Sequence, residues 1–223
     1  MKQNFEIYAV THKMTCVADF LKNLLKKNIT FDKNIKILDY GCGDGGLLKY
    51  FSKFVNKKKL YGVEVSKIRV QRVKKLGFNC YHINQNKVKL KFKDNIFDVI
   101  TMIEVIEHIP KENVSGILGE ISRVLKPEGK FILTTPNYPT KRVYDWLMVF
   151  KRKSINKVAK DDPTHITRYN FNDLNKLLKK YFRNVKLYPS HIILENKFKL
   201  IKNLRESGVA DFLGHKICGV CTK

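Results

Sequence analysis

The segment Ile37-Leu38-Asp39-Tyr40-Gly41-Cys42-Gly43-Asp44-Gly45-Gly46 decides the fold. Its first half, with Lys36, reads as a short buried strand. A glycine-rich turn follows, and then a helix through Leu47, Leu48 and Phe51. Gly41, Gly43 and Gly46 satisfy G-x-G-x-x-G, a spacing that brings backbone close to a ligand at a strand-to-helix corner. Asp39 stands at the mouth of that turn. A carboxylate there repels a pyrophosphate, which speaks against a nicotinamide dinucleotide, and it suits a sulfonium ligand that also carries an ammonium group.

Working outward, Leu60-Tyr61-Gly62-Val63-Glu64-Val65 reads as the next strand, with Glu64 placed 21 residues after Gly43. A carboxylate at that strand end accepts hydrogen bonds from both ribose hydroxyls of an adenosine. Residues 67–76 form a basic amphipathic helix closed by Gly77, and 79–83 a third strand. Phe97-Asp98-Val99-Ile100-Thr101-Met102-Ile103 is a fourth strand. A helix over 112–125, a turn at Lys126-Pro127-Glu128-Gly129 and a strand over 130–135 follow. Further on, 172–181 reads as a helix, 185–194 as a strand, 196–206 as a helix and 216–222 as a closing strand. Residues 5–30 are helical by their apolar spacing. This alternation predicts a mostly parallel sheet with helices on both faces. The chain has 223 residues, 43% of them apolar, which fits one domain. Residues 137–170 break the pattern and read as an insertion over the acceptor.

The four ordered stretches resemble the class I S-adenosylmethionine-dependent methyltransferases. Residues 37–45 resemble their first motif, Tyr61-Gly62-Val63-Glu64-Val65-Ser66 the acidic motif, Phe97-Asp98-Val99-Ile100 the fourth-strand motif, and Leu125-Lys126-Pro127-Glu128-Gly129-Lys130 the turn before the fifth strand. The resemblance implies S-adenosylmethionine as methyl donor and a Rossmann-like, seven-stranded, mostly parallel α/β sheet whose last strand, holding Gly219 and Val220, is antiparallel. Asp39, Gly41, Cys42, Gly43, Glu64, Met102 and Glu104 are the expected donor contacts. Relatives place an Asp ahead of a Leu-Pro-Phe-like run to bind the adenine amine. Here the run is Leu90-Lys91-Phe92 and Asn86 stands in that position, or Asn84 if the alignment slips. An amide oxygen accepts equally well.

Glu104-Val105-Ile106-Glu107-His108 follows the fourth strand. Read as a helical turn, positions i, i+3 and i+4 share a face, so Glu104, Glu107 and His108 converge. Two carboxylates and an imidazole suit Mg²⁺ or Mn²⁺. Such an ion binds neighbouring oxygens of an acceptor and lowers a hydroxyl pKa. Ubiquinone-pathway O-methyltransferases are similar here. RNA 3′-terminal ribose 2′-O-methyltransferases are similar too, and use Glu-x-x-Glu-His with a later histidine as metal ligands. His165, in Asp162-Pro163-Thr164-His165, is the matching later histidine. Many metal-free relatives also place Glu-His in this turn, where His108 or His165 acts as a base. Thr134-Thr135-Pro136-Asn137 and His165-Ile166-Thr167-Arg168-Tyr169 recur in relatives that methylate small metabolites, quinone precursors or sugars.

The net charge of +24 fits RNA, an anionic membrane or an acidic substrate. The basic residues are 36 Lys and only 8 Arg, spread along the chain. That is weaker support for nucleic acid, which is usually read by arginine's planar fork. Trp146-Leu147-Met148-Val149-Phe150 before Lys151-Arg152-Lys153 reads as a lid or as a peripheral membrane contact. No apolar run approaches the ~20 residues of a membrane-spanning helix. Residues 1–6 lack a signal-peptide core, so a cytoplasmic location is expected. The cysteines, Cys16, Cys42, Cys80, Cys218 and Cys221, are odd in number and read as reduced thiols. In a closing strand, Cys218 and Cys221 point to opposite faces and make no zinc pair. The readings left open are O-methylation of a small metabolite, sugar or lipid-linked precursor, metal-dependent RNA ribose methylation, and a non-catalytic donor-binding module.

Overall fold

The computed structural model describes residue 6 and residues 17–84, 88–138, 140, 164–192 and 214–223. In chain order the elements are α1 (Asp19–Asn28), β1 (Ile37–Tyr40), α2 (Gly46–Phe51), β2 (Leu60–Glu64), α3 (Lys67–Lys75), β3 (Asn79–His82), β4 (Phe97–Ile103), α4 (Lys111–Val124), β5 (Leu125–Pro136), α5 (Phe171–Leu178), β6 (Asn184–Ile192) and β7 (Gly214–Thr222). Single 3₁₀ turns lie at Lys57–Lys59 and Ile106–His108. The helix expected over 196–206 lies outside the described residues.

One seven-stranded sheet runs in the order β3-β2-β1-β4-β5-β7-β6. β7 is antiparallel to both of its neighbours, β5 and β6, and the remaining pairings are parallel. The chain steps outward from β1 to β2 and β3, then crosses back to β4. The crevice above the carboxyl ends of β1 and β4 is therefore the switch point where such sheets bind ligands.

Strand side chains alternate between faces, and the two halves of the core follow that alternation. Leu38, Ile100, Phe131 and Cys221 face one way, packed with Leu118 of α4 and Leu174 of α5. Ile37, Val99, Ile132 and Val220 face the other, packed with Leu25 of α1, Leu48 of α2 and Val73 of α3. Each fully buried aliphatic or aromatic side chain contributes ~1.5–3 kcal/mol by leaving water.

The turn expected at 126–129 lies inside β5. Phe97 pairs with Leu125, and Val99 with Lys130. Three extra residues therefore loop out of β5, with Glu128 at φ +61°. Proline and a left-handed residue make the bulge, while the ladder holds on both sides.

Candidate active site

The carboxyl ends of β1, β2, β4 and β5 open into a cavity of about 490 Å³. Its donor-side wall is largely backbone. The amides of Gly41 and Cys42 both donate to the Val63 carbonyl, at 2.8 and 3.1 Å, folding the glycine turn over the end of β2. Gly41 sits at φ +77°, and a Cβ there would stand 2.5 Å from Cγ2 of Val105. Only glycine serves this position.

Glu64 is buried. Its Oε2 accepts from the Gly43 amide at 2.9 Å, and its Oε1 from the amides of Val65 and Ser66 at 2.9 and 3.0 Å. These bonds fix the carboxylate at the cavity wall. Each oxygen has lone-pair capacity left for a hydroxyl donor. Asp39 is also buried and lines the cavity. Burial pushes its carboxyl up to about 7, the negative charge of Glu64 adds to that, and the Thr101 hydroxyl, donating at 2.7 Å, opposes it. A cation beside it would favour the ionised form. The other acid of the turn, Asp44, is engaged with Arg69 and Arg72.

Cys42 lines the cavity, its sulfur 3.6 Å from that of Cys80. Met102, expected among the donor contacts, is fully buried in the core. Its neighbour Ile103 lines the cavity instead, because successive strand residues point to opposite faces. Asn86 lies outside the described residues, as do residues 146–153, Asp162 and Cys16. Cys218 and Cys221 face opposite ways along β7, and burial pushes both thiols up to about 12, with the charge of Glu104 adding at Cys218.

The acceptor side is built from side chains. Residues 104–108 are not one helical turn. Glu104 takes a left-handed φ of +54°, a sparsely populated conformation for a residue with a Cβ. The 3₁₀ turn begins only at Ile106. Glu104 is thereby rotated away from Glu107 and His108. Its Oε1 accepts from the Thr134 hydroxyl at 2.7 Å, and its Oε2 pairs with the Lys216 ammonium at 2.8 Å.

Glu107 is fully buried. Its Oε2 accepts from the Thr135 hydroxyl at 3.0 Å, while Oε1 has no hydrogen-bond partner among the described residues. Burial raises this carboxyl to about 8, Glu104 adds to the shift, and Thr135 and Lys216 oppose it. The Glu107 carbonyl accepts from the amides of Ile166 and Thr167, and the Thr167 hydroxyl donates to the Ile109 carbonyl. These bonds bring the distant 164–168 segment onto the 106–109 turn.

There the two histidines meet, their ring centres 4.9 Å apart. Nδ1 of His108 lies 3.0 Å from the Thr164 carbonyl, and Nδ1 of His165 lies 3.0 Å from the Tyr138 hydroxyl. One ligand atom each from Glu107, His108 and His165 falls within 4.8 Å of the others. Glu104, expected as a ligand beside Glu107 and His108, stands outside this group, paired with Lys216. Lys216, Thr101 and Tyr138 carry no sequence signal of their own. The roles of Thr134 and Thr135, one to each glutamate, emerge only from the fold. The apolar wall of the cavity includes Phe20, Leu21, Ile109 and Pro110. Among the described residues, no helix is long and apolar enough to cross a membrane.

The methyltransferase domain family matches residues 10–186. A sterol 24-C-methyltransferase of Neurospora crassa is 32% identical over 133 residues, which cover 57% of this chain and 32% of that protein. A sterol 4-C-methyltransferase of Caenorhabditis elegans is 32% identical over 115 residues, covering 49% and 33%. The chain spans about a third of the length of these curated relatives. A solved S-adenosylmethionine-dependent methyltransferase from Archaeoglobus fulgidus superposes with a TM-score of 0.66 at 19% identity, covering 92% of this chain and 94% of that one. At that identity the likeness speaks to fold.

Proposed function

The chain belongs to the methyltransferase domain family, and from that premise we propose that it moves a methyl group from S-adenosylmethionine to a hydroxyl oxygen of a small, largely apolar acceptor. One observation carries the reading. A carbonyl only accepts, so the contact with Thr164 fixes the proton of His108 on Nδ1. In the neutral ring Nε2 is then the basic nitrogen, on a side chain that lines the cavity.

Glu64 accepts from the ribose hydroxyls. Asp39 balances the donor's positive charge. The glycine turn admits the donor close to backbone. The sulfonium is already activated, so the protein supplies alignment and exclusion of water. The acceptor oxygen attacks the methyl carbon in line with the carbon–sulfur bond. The bond electrons return to sulfur, giving neutral S-adenosylhomocysteine. The hydroxyl proton goes to Nε2 of His108, while His165 and Tyr138 hold the neighbouring wall.

The relatives' names specify methylation at carbon, so the product decides. We expect labelled donor incubated with a small-molecule extract to give an oxygen-bound methyl, recognised by its carbon-13 shift. His108→Asn should retain S-adenosylhomocysteine binding and lose transfer about a hundredfold, within the range for a general base. A carbon-bound methyl, or full transfer by the variant, overturns the oxygen reading.

A second reading rests on the buried Oε1 of Glu107, which has no hydrogen-bond partner among the described residues. With His108 and His165 it forms a set that fits Mg²⁺ or Mn²⁺. Those three residues would hold the ion, and it would supply Lewis-acid activation of an acceptor hydroxyl. Calorimetric titration of Mn²⁺ into the S-adenosylhomocysteine complex tests it. Binding that disappears in Glu107→Ala supports the ion, and heat identical to buffer excludes it from the resting complex.

A further inference from the structure

Two ion pairs stand at or beside the cavity and differ in exposure. Arg69 lines it while its partner Asp44 does not, and their side chains are only 11% and 6% exposed. Lys216 and Glu104 are 27% and 25% exposed, and both line the cavity. The donor is itself cationic at sulfur. An ammonium open to the same space opposes that charge unless it serves another ligand.

Sheet order says which ligand. The glycine turn follows β1, Glu104 follows β4, Thr134 lies on β5, and Lys216 lies on β7 opposite Pro136. Lys216 is thus three strands from the donor turn. Its Nζ also lies 5.9 Å over the ring of Phe20, at the apolar wall.

We propose that Lys216 recognises the acceptor: the acceptor carries an anionic oxygen group, carboxylate or phosphate, on an apolar body, and this group takes the place of Glu104 on the ammonium. Glu104 keeps its bond from Thr134. Lys216 becomes a specificity determinant for charge at a site whose remaining wall combines His108 and His165 with apolar side chains. The inference rests on the methyltransferase reading above.

The test uses three probes of one body, octanoate, octyl phosphate and octanamide, titrated into the protein saturated with S-adenosylhomocysteine. At least one anionic probe should bind tenfold or more tightly than octanamide, and comparing octanoate with octyl phosphate tells which anion is preferred. Lys216→Met should erase the preference. Glu104→Gln should strengthen anion binding severalfold by removing the internal competitor, an effect that loss of packing does not produce. The proposal is overturned if neither anion outbinds octanamide, or if the preference survives in Lys216→Met. If S-adenosylhomocysteine itself does not bind, the donor reading fails first and takes this inference with it.

Discussion

The two ends of the cavity are made differently. The donor end is backbone folded over backbone. Its turn amides bond to the Val63 carbonyl, Glu64 is held by three further amides, and a left-handed glycine stands against Val105. The acceptor end is side chain on side chain, drawn from β4, β5, β7 and the 164–168 segment. Donor geometry is therefore inseparable from the stability of the fold. Acceptor chemistry can change with little structural cost.

Gly41→Ala should break the donor end most severely. It adds a Cβ at φ +77° and 2.5 Å from Val105. We expect a loss of roughly 2–4 kcal/mol from strain and overpacking combined, read by denaturant unfolding. S-adenosylhomocysteine binding should weaken by about a hundredfold, equivalent to ~3 kcal/mol. Near-normal stability with lost binding would show that the two are separable after all.

Asp39 sharpens the comparison through pH. Its carboxyl, at about 7 in the folded chain, lies above the ordinary aspartate value of 3.8. Between those values the folded chain holds a proton that the unfolded chain has released. Stability therefore falls as pH rises through that window, by up to about 1.4 kcal/mol per unit. Asp39→Asn should escape that loss and gain on the wild type between pH 4 and pH 8 in thermal unfolding. S-adenosylmethionine binding should run the other way. Wild-type affinity should drop by up to about tenfold per unit below pH 7, with proton release on binding, and the variant should be flat.

Thr167→Val probes the acceptor end and should have the smallest effect on stability. It removes the 2.7 Å bond to the Ile109 carbonyl, at a cost of about 1 kcal/mol. Donor affinity should stay constant while transfer falls about tenfold, as His165 loses its seat (a misplacement effect on rate). A parallel loss of donor affinity would erase the distinction between the ends.

The same difference explains what the sequence made legible. Glycine spacing, strand alternation and the acid after β2 are local patterns, so Asp39, Gly41, Gly43 and Glu64 could be placed from a few neighbouring residues. Strand parity is local too, but it does not say which face meets the cavity: Met102, expected as a donor contact, is buried in the core, and Ile103 lines the cavity. The Glu104–His108 stretch was misread because helical spacing assumes helical backbone, and one left-handed residue rotates Glu104 onto another partner. Lys216 is 112 residues from Glu104 and reaches it only through the β5–β7 register. No local pattern encodes that meeting. The approach of His165 to His108 was expected from the family resemblance alone.

Thr134 and Thr135 are consecutive on one strand, and each hydroxyl holds a different glutamate. Adjacent strand residues face opposite sides of a sheet. This dipeptide therefore serves both carboxylates from one strand, and the two stay electrically linked, since Glu104 and Lys216 both act on the Glu107 carboxyl. A one-residue slip in β5 would turn both hydroxyls to the other face and take each from its glutamate.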